Sequence, residues 1–174
     1  YQINPSGGAM QLQYGYHSQN DIVDGGVGFI ADKTLGPGGQ LYGIVSESTS
    51  NAVVVGGDLV EIDVDNFVDY ATPTAANAGL SSNAINSLGV GNVEIDNDKS
   101  PGGRYAAVWP LHDGSGRLLV SWSPCRAIDN GLIKPCSISP SNAPAADPLF
   151  SLWVYDPVAK TQQPIVNLQT EGQM

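Results

Sequence analysis

The pattern of apolar and polar positions has a period of two through most of this chain. Leu118, Val120 and Trp122 alternate with Leu119, Ser121 and Ser123, which predicts a strand with one apolar face. Residues 105–122 read as strand, turn and strand, with Asp113-Gly114 at the tip, because Gly takes the positive φ such a hairpin requires. Residues 27–45 have the same shape around a Gly-Pro-Gly-Gly turn. A second kind of hairpin recurs at 1–14, 59–70 and 152–166, pivoting on Asn4, Asp63 and Asp156. Asn and Asp start turns by bonding the backbone two residues on, and Pro5 and Pro157 preset φ at the next position. The only stretch with helical character is 75–88. The apolar faces predict a core of Phe29, Ile44, Leu59, Ile62, Val108, Leu118, Val120, Trp122, Trp153 and Ile165.

In chain order the hairpins alternate: outer, inner, outer, inner, outer. An inner and an outer hairpin together make a four-stranded antiparallel blade, and blades of that kind stack radially. The sequence therefore reads as all-β, with β-propeller-like blades: about two, plus part of a third. Residues 1–174 form one such segment, with an insertion at 71–100 and a disulfide loop at 124–148. A β-sandwich is the alternative. The chain opens within an outer hairpin that lacks its inner partner, so we expect a fragment of a longer protein. Its missing contacts would come from the remainder of that polypeptide or from neighbouring subunits.

Composition sharpens this picture. Of 174 residues only 14 % are charged, while Gly contributes 21 and Pro 12, as expected of strands joined by turns. The net charge of −10 repels phosphate backbones and anionic lipid, which argues against nucleic acid as a partner. No apolar run reaches the ~18 residues of a membrane helix, so no transmembrane segment is expected. Cys125 and Cys136 flank one short polar segment. The spacing is not Cys-x-x-Cys, and two Cys without a nearby His make a poor zinc site. A mutual disulfide is the expectation, which implies an oxidising compartment.

The run Ser100-Pro-Gly-Gly-Arg-Tyr-Ala-Ala-Val-Trp-Pro-Leu-His-Asp-Gly-Ser-Gly-Arg-Leu-Leu-Val-Ser-Trp-Ser-Pro-Cys-Arg126 is followed by Pro135-Cys136 and Leu152-Trp-Val-Tyr-Asp-Pro157. Together these resemble large exported bacterial proteins with TolB-like propellers, and the middle propeller domain of the hydrazine synthase alpha subunit. Asn4-Pro-Ser-Gly-Gly and Leu12-Gln-Tyr-Gly-Tyr-His-Ser18 resemble the same family's junction between hairpins. The resemblance covers most of the chain outside 71–98. It implies export, often as a lipoprotein, and a periplasmic, outer-membrane-anchored or extracellular location. It does not carry hydrazine chemistry, because the Cys-x-x-Cys-His haem attachment motif is missing.

Candidate chemistry is sparse. His17 and His112 are the only histidines, and His112 sits at a turn. There is no Gly-x-Ser-x-Gly elbow around Ser121 or Ser123, and Gly36-Pro-Gly-Gly39 lacks the Gly-Lys-Ser/Thr of a phosphate loop. Glu94, Asp96 and Asp98 alternate ahead of Ser100 and Gly102. Counted from Asp96, Gly falls at position seven and Ala107 at twelve, where an EF-hand needs Gly at six and Glu at twelve. Asp96 and Asp98 remain a candidate calcium site, against solvated acidic turns; Asp58, Asp63, Asp65 and Asp69 read as exposed turn and strand positions. Trp109, Trp122, Trp153, Tyr105 and Tyr155 read as core packing, with a ligand platform as the alternative. The chain thus reads as a non-catalytic segment with a structural or protein-interaction role and no cofactor. The other reading is part of a larger exported, cofactor-dependent enzyme whose active site lies outside these residues.

Overall fold

The computed structural model describes residues 27–36, 41–49, 52–53, 55–62, 85–95 and 98–165. Within them the chain is all-β, with no α-helix. The first sheet contains β1 (Val27–Leu35), β2 (Leu41–Thr49), β3 (Ala52–Val53), β4 (Asp58–Ile62) and β5 (Ile85–Ser87). Its order is β1-β2-β4-β5, with β3 paired to the end of β2. The second sheet holds β6 (Arg104–Pro110), β7 (Leu118–Ser123), β10 (Ser151–Asp156) and β11 (Thr161–Pro164), in the order β11-β10-β7-β6. Between β7 and β10 the ribbon β8 (Arg126–Asp129) and β9 (Leu132–Pro135) forms a sheet of its own.

Each main sheet is a meander whose strand order follows the chain. The turns explain why. At the β6–β7 turn the Asp113 carboxylate accepts the Ser115 N–H at 2.9 Å, and Gly114 and Gly116 take φ of 80° and 72°. At the β10–β11 turn the Asp156 carboxylate accepts the N–H groups of Val158 and Ala159, each at 2.9 Å. These are the local side-chain bonds that make Asp a turn former.

The two sheets stack through their apolar faces, with β6 lying against β1, β2 and β4. Tyr42, Ile44 and Leu59 of the first sheet meet Tyr105, Val108, Leu118, Val120, Trp153 and Tyr155 of the second, and Leu88 fills the gap between them. A backbone bridge ties the sheets at one corner: Gly57 N–H donates to the Tyr105 carbonyl at 2.8 Å, and Tyr105 N–H returns to Gly57 at 2.9 Å. The approach is close enough to require glycine next door. Gly56 has φ of 79°, and a Cβ there would lie 2.8 Å from the Tyr105 carbonyl oxygen.

Several expectations change. Ile165 is 54 % exposed and outside the core. Pairing of Trp153 with Pro164 puts the next residue on the opposite face, where the Ile165 N–H donates to the Leu152 carbonyl at 3.0 Å. The helix expected over 75–88 does not extend to its C-terminal part, because Ile85–Ser87 is β5, paired with β4. That strand falls inside the stretch read as the insertion 71–100, and its pairing with β4 takes the place expected for the second half of the 59–70 hairpin. Trp109 is 58 % exposed, so it is not core packing. Tyr105 and Tyr155 lie in the core as expected, and Tyr42 joins them. Phe29 and Ile62 occupy strands, but their side chains lie outside the described residues, as do the 1–14 hairpin and residues 63–84.

Candidate functional site

Three features stand out by their chemistry. The first is the outer face of the second sheet. Inward residues alternate with Trp109, Leu119, Leu152 and Val154 along β6, β7 and β10. Strand pairing lines these up as two rows, Trp109–Leu119–Val154–Gln163 and Ala107–Ser121–Leu152. Ile165 extends the second row beside Leu152. Trp109 is 58 % exposed and Leu152 is 46 % exposed. No charged side chain interrupts either row.

The second feature is the ribbon and the cleft at its base. The Asn130-Gly131 turn takes φ of 53° and 77° at its two residues, the backbone of a tight two-residue hairpin. A two-stranded hairpin is marginal by itself, and here a Cys125–Cys136 disulfide with a Cα–Cα distance of 5.4 Å closes its base. The Lys134 ammonium and Asp129 carboxylate pair across the strands at 2.6 Å. The Ile128 N–H donates to the Pro144 carbonyl at 2.9 Å, bracing the other edge. An open cleft of about 640 Å³ runs beside the disulfide, lined by Trp122, Pro101, Pro124, Pro135 and serine side chains. Its size falls within the usual range of small-molecule sites, about 300–1,000 Å³. Lys99 reaches across to donate to the carbonyls of Pro140 and Ser141, so the 98–104 turn and the disulfide loop are held together.

The third feature is a polar knot at the seam of the sheets. Tyr155 donates its hydroxyl to the Leu88 carbonyl, which also accepts from Lys160 Nζ at 3.2 Å. Tyr105 accepts the Val90 N–H at 3.4 Å and donates to Gln162 Oε1 at 3.2 Å. Burial pushes the Tyr105 hydroxyl up to about 12, and the Asp58 charge adds to this. Tyr155 is pushed up as well, by burial first and then by Tyr105, Asp156 and Asp58. Burial also raises Asp58, against the opposing pull of the Ser87 hydroxyl, the Leu59 and Gly89 amides and the Lys160 charge. Its Oδ1 is buried without a hydrogen-bond partner among the described residues. A Cβ on Gly89 would come 2.4 Å from that oxygen, so only glycine lets the loop pass.

The candidates from sequence scatter. Cys125 and Cys136 are joined. Asp98 is exposed, its backbone carbonyl accepting from the Arg104 guanidinium at 2.7 Å, and Asp96 lies outside the described residues. Among the described residues no three His, Cys, Asp or Glu side chains gather around one point. His112 is exposed with φ of 52°, its ring 6.2 Å from that of Trp109; His17 lies outside the described residues. The hydroxyl of Ser123 is engaged with backbone, accepting the Leu149 N–H at 2.8 Å and donating to the Pro124 carbonyl at 3.1 Å. Sequence reasoning missed that Asp58 is half-buried, with one carboxylate oxygen enclosed. Its one signal was a carboxylate directly before the alternating Leu59-Val60-Glu61-Ile62 run. Among the described residues no helix is long and apolar enough to cross a membrane. Comparison with family models, curated proteins and solved structures found no match to this chain.

Proposed function

We propose that this chain is a non-catalytic, β-propeller-type segment of an exported protein, with a structural or protein-interaction role. The free apolar face of the second sheet carries this reading. Two consecutive four-strand meanders stack face to face, with β6 seated against β1. That is how radial blades succeed one another, and on this reading the outer face meets a further sheet. The partner is the remainder of a longer polypeptide or a neighbouring subunit. The disulfide supports a periplasmic, outer-membrane-anchored or extracellular setting, as does the resemblance to TolB-like propellers. An apolar-surface dye tests the central point. The chain is expected to bind the dye, and Leu152→Lys to remove most of that binding; a chain that binds none has no available face, and the reading fails.

Part of a larger exported enzyme is the second reading, and the cleft beside Trp122 favours it. A small molecule that shifts Trp122 fluorescence in the wild type and not in Trp122→Phe would move the balance that way.

A further inference from the structure

We propose that residues 88–93 are a latch over the Asp58 carboxyl, closed when that group is protonated and loosened when it ionises.

The segment Leu88-Gly-Val-Gly-Asn-Val93 follows β5 directly. Leu88 is buried, and Val90 and Val93 pack against the core cluster. Gly89 passes immediately over Asp58, where a Cβ would overlap both the carboxylate Oδ1 and Val93 Cγ2. Oδ1 is shut away from solvent there and has no hydrogen-bond partner among the described residues.

This enclosure penalises one protonation state more than the other. Loss of water costs a carboxylate far more than a neutral carboxylic acid. The acid fits under the closed segment, whereas the ionised group gains from opening, which admits water to Oδ1. Burial accordingly raises the Asp58 carboxyl in the closed form. The sign follows: closure is fully favoured below the value of the open form and is lost as pH rises through the raised value of the closed form.

The surrounding groups leave Asp58 as the one that switches. Lys160 faces it from the β10–β11 turn, Tyr105 from β6 and Tyr155 from β10, with Asp156 behind Tyr155. Lys160 favours the charged carboxyl, as do the Ser87 hydroxyl and the Leu59 and Gly89 amides. Burial pushes both tyrosine hydroxyls up, so neither loses its proton at moderate pH.

The same segment ties the two sheets together. Leu88 N–H donates to the Leu59 carbonyl of the first sheet at 2.7 Å. The Leu88 carbonyl accepts from the Tyr155 hydroxyl and from Lys160 Nζ at 3.2 Å, and Val90 N–H donates to the Tyr105 hydroxyl at 3.4 Å. Lys160 holds this position with φ of 53°, a conformation that is uncommon outside glycine. Loosening the latch therefore reaches the contact between the sheets.

Hydrogen exchange on the 174-residue chain, followed by NMR from about pH 4 to about pH 8 and corrected for the intrinsic rate of each amide, tests this. The Leu88 and Val90 amides are expected to exchange severalfold faster as pH rises, while those of Leu118 and Val120 in β7 do not. The acceleration should level off at the pH where the Asp58 carboxyl carbon titrates. Asp58→Asn should keep both amides at their slow rate throughout. Lys160→Met should extend the acceleration to higher pH, because it removes a charge that favours the ionised carboxyl. An Asp58 carbon that titrates at or below the ordinary carboxylate value overturns the latch in the wild-type chain, without recourse to a variant. Equal acceleration in β7 overturns it too, since the whole chain would then be opening, as does an unchanged pH response in Asp58→Asn.

Discussion

The two main sheets share one plan, a four-strand meander with an alternating pattern, yet they end in different surroundings. In the first, residues on both sides are buried, with Ile44 and Leu59 on one side and Val45 and Val60 on the other. In the second, Leu118, Val120 and Tyr155 are buried on one side while Trp109 and Leu152 remain open on the other. Leu118 and Leu119 are adjacent and identical, but only the first joins the core. Alternation decides which residues share a face. It does not decide what covers that face.

Substitutions on the two sides of the sheets test this contrast most severely. Leu59→Ala removes a fully buried side chain and is expected to cost about 2–5 kcal/mol, read as a lower midpoint in denaturant unfolding. If it costs no more than a surface change, the inner face is not the core. Next in size is loss of the disulfide. Cys125→Ser with Cys136→Ser opens a loop of sequence separation 11, worth about 3 kcal/mol in the chain-entropy model. The damage should centre on the ribbon, with amide exchange rising at β8 and β9 well before β7 and β10. Uniform loss of protection would make the ribbon part of the main folding unit. Tyr155→Phe withdraws the hydroxyl that the buried Leu88 carbonyl accepts. Lys160 still reaches that carbonyl, so a loss of about 1 kcal/mol is expected.

Asp58 sharpens the comparison through pH. Burial raises its carboxyl, so the folded chain holds the proton more tightly than the unfolded one. The resulting stabilisation is complete below the unfolded value and is lost as pH rises through the raised folded value. Asp58→Asn is therefore expected to raise the thermal midpoint by a few degrees at about pH 7 and to leave it nearly unchanged at about pH 3. An equal shift at both would mean the effect is packing and not ionisation. The smallest effect belongs to the open face: Leu152→Ala should change the stability of the monomer by no more than about 0.5 kcal/mol, measured at concentrations too low for association.

Much of this was legible in the chain. The β1–β2 and β6–β7 hairpins, the Asp113-Gly114 and Asp156 turns, and the disulfide were all written in local residue patterns. Six expected core residues, Ile44, Leu59, Val108, Leu118, Val120 and Trp153, are buried, and Trp122 packs against them. Each of these depends on neighbours within a few positions or on simple alternation. The pairing of β4 with Ile85–Ser87 was not legible, because the two strands lie far apart in sequence and the local pattern pointed to a nearer hairpin at Asp63. Burial of Tyr105 and Tyr155 was expected, but the groups that satisfy their hydroxyls were not. Their partners, Leu88 and Gln162, lie far away in sequence.

The sequence by itself determined the all-β class, the hairpins, which residues of a strand share a side and the bonded cysteines, since turn chemistry and a period of two act over short range. Only the tertiary structure decided that Tyr42 sits inside, that Asp58 loses much of its water, and that Ile165 and Trp109 face out. Those outcomes depend on strand register and on how the second sheet seats against the first. A shift of one residue in pairing exchanges the two faces of a strand, and nothing in the local pattern records it.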